Sequence, residues 1–216
     1  MADWQFTATK AAKELQAYRR GRLGATTRLL RDGIVQTGLN HGTLLDIGGG
    51  VGALTFELLD RGLRRAVIAD ASAAYVAAAR EEAVRRNRAL DIEVVHGDIL
   101  QLSLARASVV TLDRVVCCYP SYEPMIEYAV RRAENVVALS YPRDRWYVRG
   151  VMRIENASRA RKSGFRTFVH PPVRMQQLVQ GAGFELATRR STFVWTIDVF
   201  VRREALRPAN LRSFRS

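Results

Sequence analysis

A chain of 216 residues, 48% apolar and 25% charged, is long enough for one domain with a buried core and too apolar for a disordered segment. Its formal net charge of +13, nearly all of it from arginine, permits anionic partners: nucleic acid, acidic membranes or acidic small molecules. No apolar run approaches the ~18 residues of a membrane span, and Met1 to Trp4 begin no signal peptide.

In chain order, residues 7–31 are expected to be helical with a break at 21–24, where glycines interrupt the apolar periodicity. Thr43 to Ile47 make the first strand. A glycine loop follows, then a helix from about Ala53 to Arg61 ended by Gly62. Ala66 to Asp70 form a second strand, and Ser72 is placed to cap a helix running to about Arg88. Ile92 to His96 and Ser108 to Leu112 are the third and fourth strands. Glu123 to Arg132 are helical, and Val136 to Ser140 form a fifth strand. The alternation of strand and helix argues for a doubly wound, Rossmann-like, mostly parallel sheet.

The last third breaks the alternation. A helix at Val173 to Gln180 precedes two strands, Phe184 to Arg190 and Phe193 to Arg202, joined too closely for a crossover. They must be antiparallel, closing a seven-stranded sheet with a hairpin. The expected organisation is an N-terminal helical cap over 1–42, a catalytic domain over 43–203 and a loose tail over 204–216. A lid-like insertion at 142–172 carries a helix near Arg145 to Arg161. Cys117 and Cys118, taken as strand neighbours on opposite faces, cannot form a disulfide with each other, and a reduced, cytoplasmic protein is expected. No metal site is expected.

The glycine loop Asp46-Ile47-Gly48-Gly49-Gly50-Val51-Gly52 fits two ligand classes. Gly48, Gly50 and Ala53 satisfy the dinucleotide pattern, because glycines let the backbone approach a ligand at a helix N-terminus. Asp46, inside the strand, instead suits a ligand with an ammonium group and no phosphate. Asp70 ends the second strand and can accept from both ribose hydroxyls, a feature common to both classes. Asp98, in His96-Gly97-Asp98-Ile99, could accept from an adenine amino group while Ile99 packs on the ring. All three acids fall at the C-terminal ends of parallel strands, where such sheets bind ligands.

These motifs, LLDIGGGVG, IADAS and HGDIL with the terminal hairpin, resemble the class I methyltransferases over about residues 43–203. The run VVTLDRVVCCYP with FRTFVHPP is more loosely similar to the bacterial magnesium-protoporphyrin methyltransferase-like branch. The resemblance implies S-adenosylmethionine as cofactor. It carries cofactor contacts onto Asp46, Gly48, Gly50, Gly52, Asp70 and Asp98 and sets Asp113 beside the methionine part; Gly49, Ala71, Gly97 and Ile99 complete the candidate contacts. Tyr18 and Arg22 are candidates to reach the methionine carboxylate if the N-terminal helix closes over the cofactor, the alternative being an ordinary amphipathic helix. His170, Asp113, Tyr119 and Tyr141 are the candidate general bases. A base is needed for a hydroxyl acceptor and not for an ionised carboxylate.

The leading expectation is O-methylation of a small, acidic metabolite. An RNA or protein methyltransferase is the alternative, with nucleic acid less favoured because Asp113-Arg114-Val115-Val116 replaces the N/D-P-P-Y/F run of base-amino enzymes. A non-catalytic cofactor-binding member and a nicotinamide-dependent oxidoreductase complete the field. The acceptor and the oligomeric state are not read from the sequence.

Overall fold

The near-continuous apolar runs become central strands covered on both faces, as expected of a parallel sheet under two helical layers. The computed structural model describes residues 7–39, 41–160 and 166–203, so the expected tail at 204–216 lies outside the described residues. Its strands are β1 (Thr43–Ile47), β2 (Arg65–Asp70), β3 (Ile92–His96), β4 (Ala107–Asp113), β5 (Ala133–Pro142), β6 (Phe184–Ser191) and β7 (Trp195–Arg202). They form one seven-stranded sheet in the order β3-β2-β1-β4-β5-β7-β6. The first five run parallel, β7 pairs antiparallel with β5, and β6 pairs antiparallel with β7. The expected fold class holds in every part.

The helices are α1 (Ala8–Arg19), α2 (Ala25–Gln36), α3 (Ala53–Leu59), α4 (Ala73–Arg85), α5 (Glu123–Arg132), α6 (Trp146–Ala160) and α7 (Pro172–Gly181). One core cluster joins α5 and α7 to the sheet through Met125, Ile126, Ala129, Met175 and Val179. A second joins α2, α3 and α4 to the other face through Leu30, Ile34, Phe56, Leu58 and Ala79. A third sets α1 on α4 and on the glycine loop, where Ala11 and Leu15 meet Val51, Tyr75 and Ala78. Helix α1 is thereby held over the glycine loop that follows β1.

Several local expectations shift. The break between the first two helices falls where expected, but α2 runs on to Gln36. Ser72 occupies the N-cap of α4 without a side-chain cap bond; its backbone N–H donates instead to Asp70 Oδ1 at 2.8 Å. Cys117 and Cys118 are not strand residues. They lie in a 3-10 turn, Val116–Cys118, and both are free thiols. The cause is Arg114: its left-handed backbone (φ 60°) ends β4 and turns the chain before the cysteines. Of the insertion, α6 packs inward through Val148 and Met152, whereas Trp146 stands 85% exposed in solvent.

Candidate active site

Strand β1 carries Asp46 into the middle of the sheet, where the carboxylate is 1% exposed. Thr111 lies directly across from it on β4 and donates to Oδ1 at 2.6 Å. Thr55, in the first turn of α3, donates to Oδ2 at 2.8 Å. Two hydroxyls carry no charge, so burial still wins and the Asp46 carboxyl is pushed up to about 6, with Asp113 and Asp70 adding repulsion. The loop that follows must double back beside this carboxylate. Gly48 does so at φ 64°, and a Cβ there would collide with Val115 of the turn after β4.

Asp70 closes β2 and accepts from the backbone N–H of Gly50 at 2.9 Å as well as from Ser72. The acid thus fixes the glycine loop while burial raises its pKa. Farther along the same edge, Asp98 Oδ1 accepts from the N–H of Leu100 at 3.1 Å and from the Tyr119 hydroxyl at 3.3 Å. Ile99 is buried in the core cluster beneath, and the carbonyl of Ala71 lies 3.2 Å from His96 Nε2. Asp113 ends β4. Its Oδ2 accepts from Thr27 of α2 and its Oδ1 from Ser140 of β5, each at 2.6 Å.

A cleft of about 250 Å³ opens above β1 and β4. It gathers Asp46, Gly48, Gly49, Gly50, Asp113, Tyr18 and Arg22, all of them expected from sequence. The Tyr18 hydroxyl is 3.5 Å from Glu57 Oε1, and burial raises its pKa. Asp70, Gly97 and Asp98 continue the same edge of the sheet beyond the cleft, on β2 and after β3. Sequence reasoning missed Glu14, Thr27 and Arg114 in the lining, and Thr55, Thr111 and Ser140 behind it.

The candidate bases are dispersed. His170 is buried, with Nε2 2.9 Å from the Tyr119 carbonyl and its ring against Tyr122 at 4.6 Å; burial lowers its pKa. Because a carbonyl only accepts, Nε2 must be the protonated nitrogen. Tyr119 faces Asp98. Tyr141 lies inside β5, 1% exposed, and donates to Asp198 Oδ2 at 2.6 Å, while Arg189 grips Asp198 through two bonds of 2.7 and 2.9 Å. Tyr141 therefore lines a different groove, of about 280 Å³, with Arg143, Arg145 and Gln176. Among the described residues no group of three or more His, Cys, Asp or Glu could hold a metal ion.

The donor set can be tested against S-adenosylmethionine, which a class I fold implies. Buried and cleft-lining carboxylates suit its ammonium and sulfonium charges, Arg22 suits its carboxylate, and Asp70 and Asp98 suit a ribose diol and an adenine amine in that order along the edge. The residues present fit.

Comparison with known proteins agrees. Residues 44–139 match the family model for a methyltransferase domain. The magnesium protoporphyrin IX methyltransferase of Synechocystis PCC 6803, solved with bound SAH, is 22% identical, with 82% of each chain covered and a TM-score of 0.69. An O-methyltransferase family protein from Burkholderia thailandensis is 16% identical over 91% of this chain and 63% of that one, with a TM-score of 0.65. The [4+2]-cyclase SpnF is 13% identical over 82% of this chain and 80% of its own, with a TM-score of 0.62. No curated protein matches the sequence. Residues 44–139 match a methyltransferase domain, and the fold around them is that of the class I methyltransferases, whose methyl donor is S-adenosylmethionine. The structural likenesses carry the fold, and the cyclase among them illustrates that one frame hosts more than one chemistry.

Proposed function

We propose that the protein is an S-adenosylmethionine-dependent methyltransferase acting on an oxygen of a small anionic acceptor, with a carboxylate as the nucleophile. One observation carries this reading: all four candidate bases already have partners. His170 is committed to the Tyr119 carbonyl, Tyr119 to Asp98, Tyr141 to Asp198, and Asp113 to two hydroxyls. An ionised carboxylate acceptor has no proton to lose, so it needs none of them.

The bound cofactor supplies the methyl group and its sulfonium leaving group. The chain's own residues then have to align the reactants and exclude water. Asp46 and Glu14 balance positive charge at the methionine end, Asp70 holds the ribose, and Asp98 with Tyr119 frames the adenine. Arg114, half-exposed at the rim with its Nε 3.9 Å from Asp113 Oδ1, is the cation available to an acceptor carboxylate. Arg19, Arg31, Arg61, Arg86, Arg189 and Arg203 are each tied up in ion pairs with neighbouring carboxylates, at positions spread from α1 to the end of β7. This favours a small acceptor over an extended polyanion.

The test uses purified protein, methyl-labelled S-adenosylmethionine and a panel of carboxylic acids. The expected product is a methyl ester, so the label is released as methanol in mild alkali. Label that resists alkali, on a hydroxyl or amine acceptor, would overturn the carboxylate assignment. Salt-sensitive labelling of RNA would select the polyanion alternative.

A further inference from the structure

Helix α6 is apolar on two sides. With 3.6 residues per turn, Val148 and Met152 share the face that enters the protein, 0% and 6% exposed. Trp146 and Ile154 lie away from it, 85% and 73% exposed, with Val151 at 42%. The hairpin turn between β6 and β7 extends this surface. Phe193, 73% exposed, stacks on Tyr147 at 4.7 Å, and Trp146 meets the same ring edge-on at 5.9 Å. Three aromatic rings from two separate elements thus form one solvent-facing cluster. Large exposed apolar patches on a folded domain mark interaction surfaces.

The charges around the cluster select the occupant. Among the described residues the ion pairs around α6 and the hairpin are Arg149–Asp144 and Arg189–Asp198 and include neither Arg145 nor Arg153, and Arg143 spends one N–H on the Thr192 carbonyl at 3.1 Å. Arg143 and Arg145 also line the groove beside the start of α6, where the other charged groups are already paired, Asp144 with Arg149 and Arg189 with Asp198. A second copy of this chain would bring the same cations, and a net charge of +13, against them. Aromatic rings standing beside these arginines are instead suited to a bilayer with anionic headgroups, where rings enter the interface and guanidinia meet phosphates. No described helix is long and apolar enough to cross a membrane, so the contact is superficial.

We propose that the face built by Trp146, Ile154 and Phe193, flanked by Arg143, Arg145 and Arg153, docks the protein on the surface of an anionic lipid bilayer. This holds independently of the acceptor the enzyme methylates.

The experiment is vesicle co-sedimentation of the full chain with phosphatidylcholine alone and with phosphatidylcholine containing 30% phosphatidylglycerol (roughly the charge needed for a strong surface potential). Binding is expected to the anionic vesicles only and to weaken with salt. Trp146→Ala combined with Phe193→Ala should reduce it on the order of tenfold or more, and Arg145→Glu by about fivefold. Melting temperature and S-adenosylhomocysteine affinity should stay as in wild type, which separates lost docking from lost fold. Equal binding to neutral vesicles, or no binding to either, would overturn the proposal. So would a wild-type dimer that Trp146→Ala converts to monomer.

Discussion

Two buried carboxylates, Asp46 in β1 and Glu82 in α4, sit in different parts of the same frame and are pushed in opposite directions. Both are almost fully removed from solvent, at 1% and 0% exposure. Asp46 is met by two threonine hydroxyls and no cation, and its pKa rises to about 6. Glu82 accepts from Arg19 of α1 at 2.8 Å and from Arg85 and Arg86 just along its own helix, and its pKa falls to about 2. Glu82 is a finished clasp that fastens α1 to α4. Asp46 carries an uncompensated charge at the foot of a cleft, the condition of a group awaiting a cationic ligand.

The comparison can be broken most sharply at Asp46. Asp46→Asn keeps the shape and removes the charge. S-adenosylhomocysteine affinity, measured by calorimetry, should fall about a hundredfold. Folding stability at neutral pH should hold or rise, because an acid with a raised pKa stabilises the fold only while it is protonated. Its contribution is fully present below its ordinary 3.8 and is lost as the pH climbs through about 6. The charged form costs on the order of 3 kcal/mol at pH 7. Cofactor affinity should correspondingly decline as the pH drops below 6.

Glu82→Gln should do the reverse. Its arginines reach solvent and can rehydrate, so the loss is about 2 kcal/mol rather than the larger cost of orphaning buried charge. Because the Glu82 pKa is lowered, its stabilisation is present above the ordinary 4.5 and disappears as the pH falls to about 2. Urea melts between pH 5 and pH 2.5 should show that slope in wild type and a shallower one in the variant. Arg86 also lies over the Tyr18 ring at 4.9 Å, so a loosened clasp should weaken cofactor binding slightly, about threefold.

The smallest effect is expected at Tyr141→Phe. One hydrogen bond to Asp198 goes, Arg189 remains, and stability drops by about 1 kcal/mol in a urea melt. Cofactor affinity should not change. A large drop would bring Tyr141 back to the active site.

The acids of the cleft edge were legible because each stands at a recognisable strand end. Asp46 interrupts an apolar strand, Asp70 follows one, and Asp98 comes after the third. Their partners were not legible, because register decides them. Thr111 faces Asp46, and Ser140 faces Asp113, only once β4 lies between β1 and β5. A polar residue inside an otherwise apolar strand is the available signal, since burial demands a partner for it. Thr27 and Glu14 left no such trace, since a threonine and a glutamate on amphipathic helices read as solvent-facing. The cysteines lie in a turn rather than the expected strand for a related reason: Arg114 takes a left-handed backbone that nothing in its side chain announces.

The proposed cofactor site is the C-terminal edge of β1, β2 and β3, with Asp46 as the buried counter-charge to S-adenosylmethionine. Calorimetric titration of S-adenosylhomocysteine into wild type and Asp46→Asn, at pH 5.5 and pH 7.5, tests it directly. One site is expected in wild type, tighter at pH 7.5, and weak, pH-independent binding in the variant. Equal affinity in the two proteins, or no binding by a wild type that melts cooperatively, would contradict it.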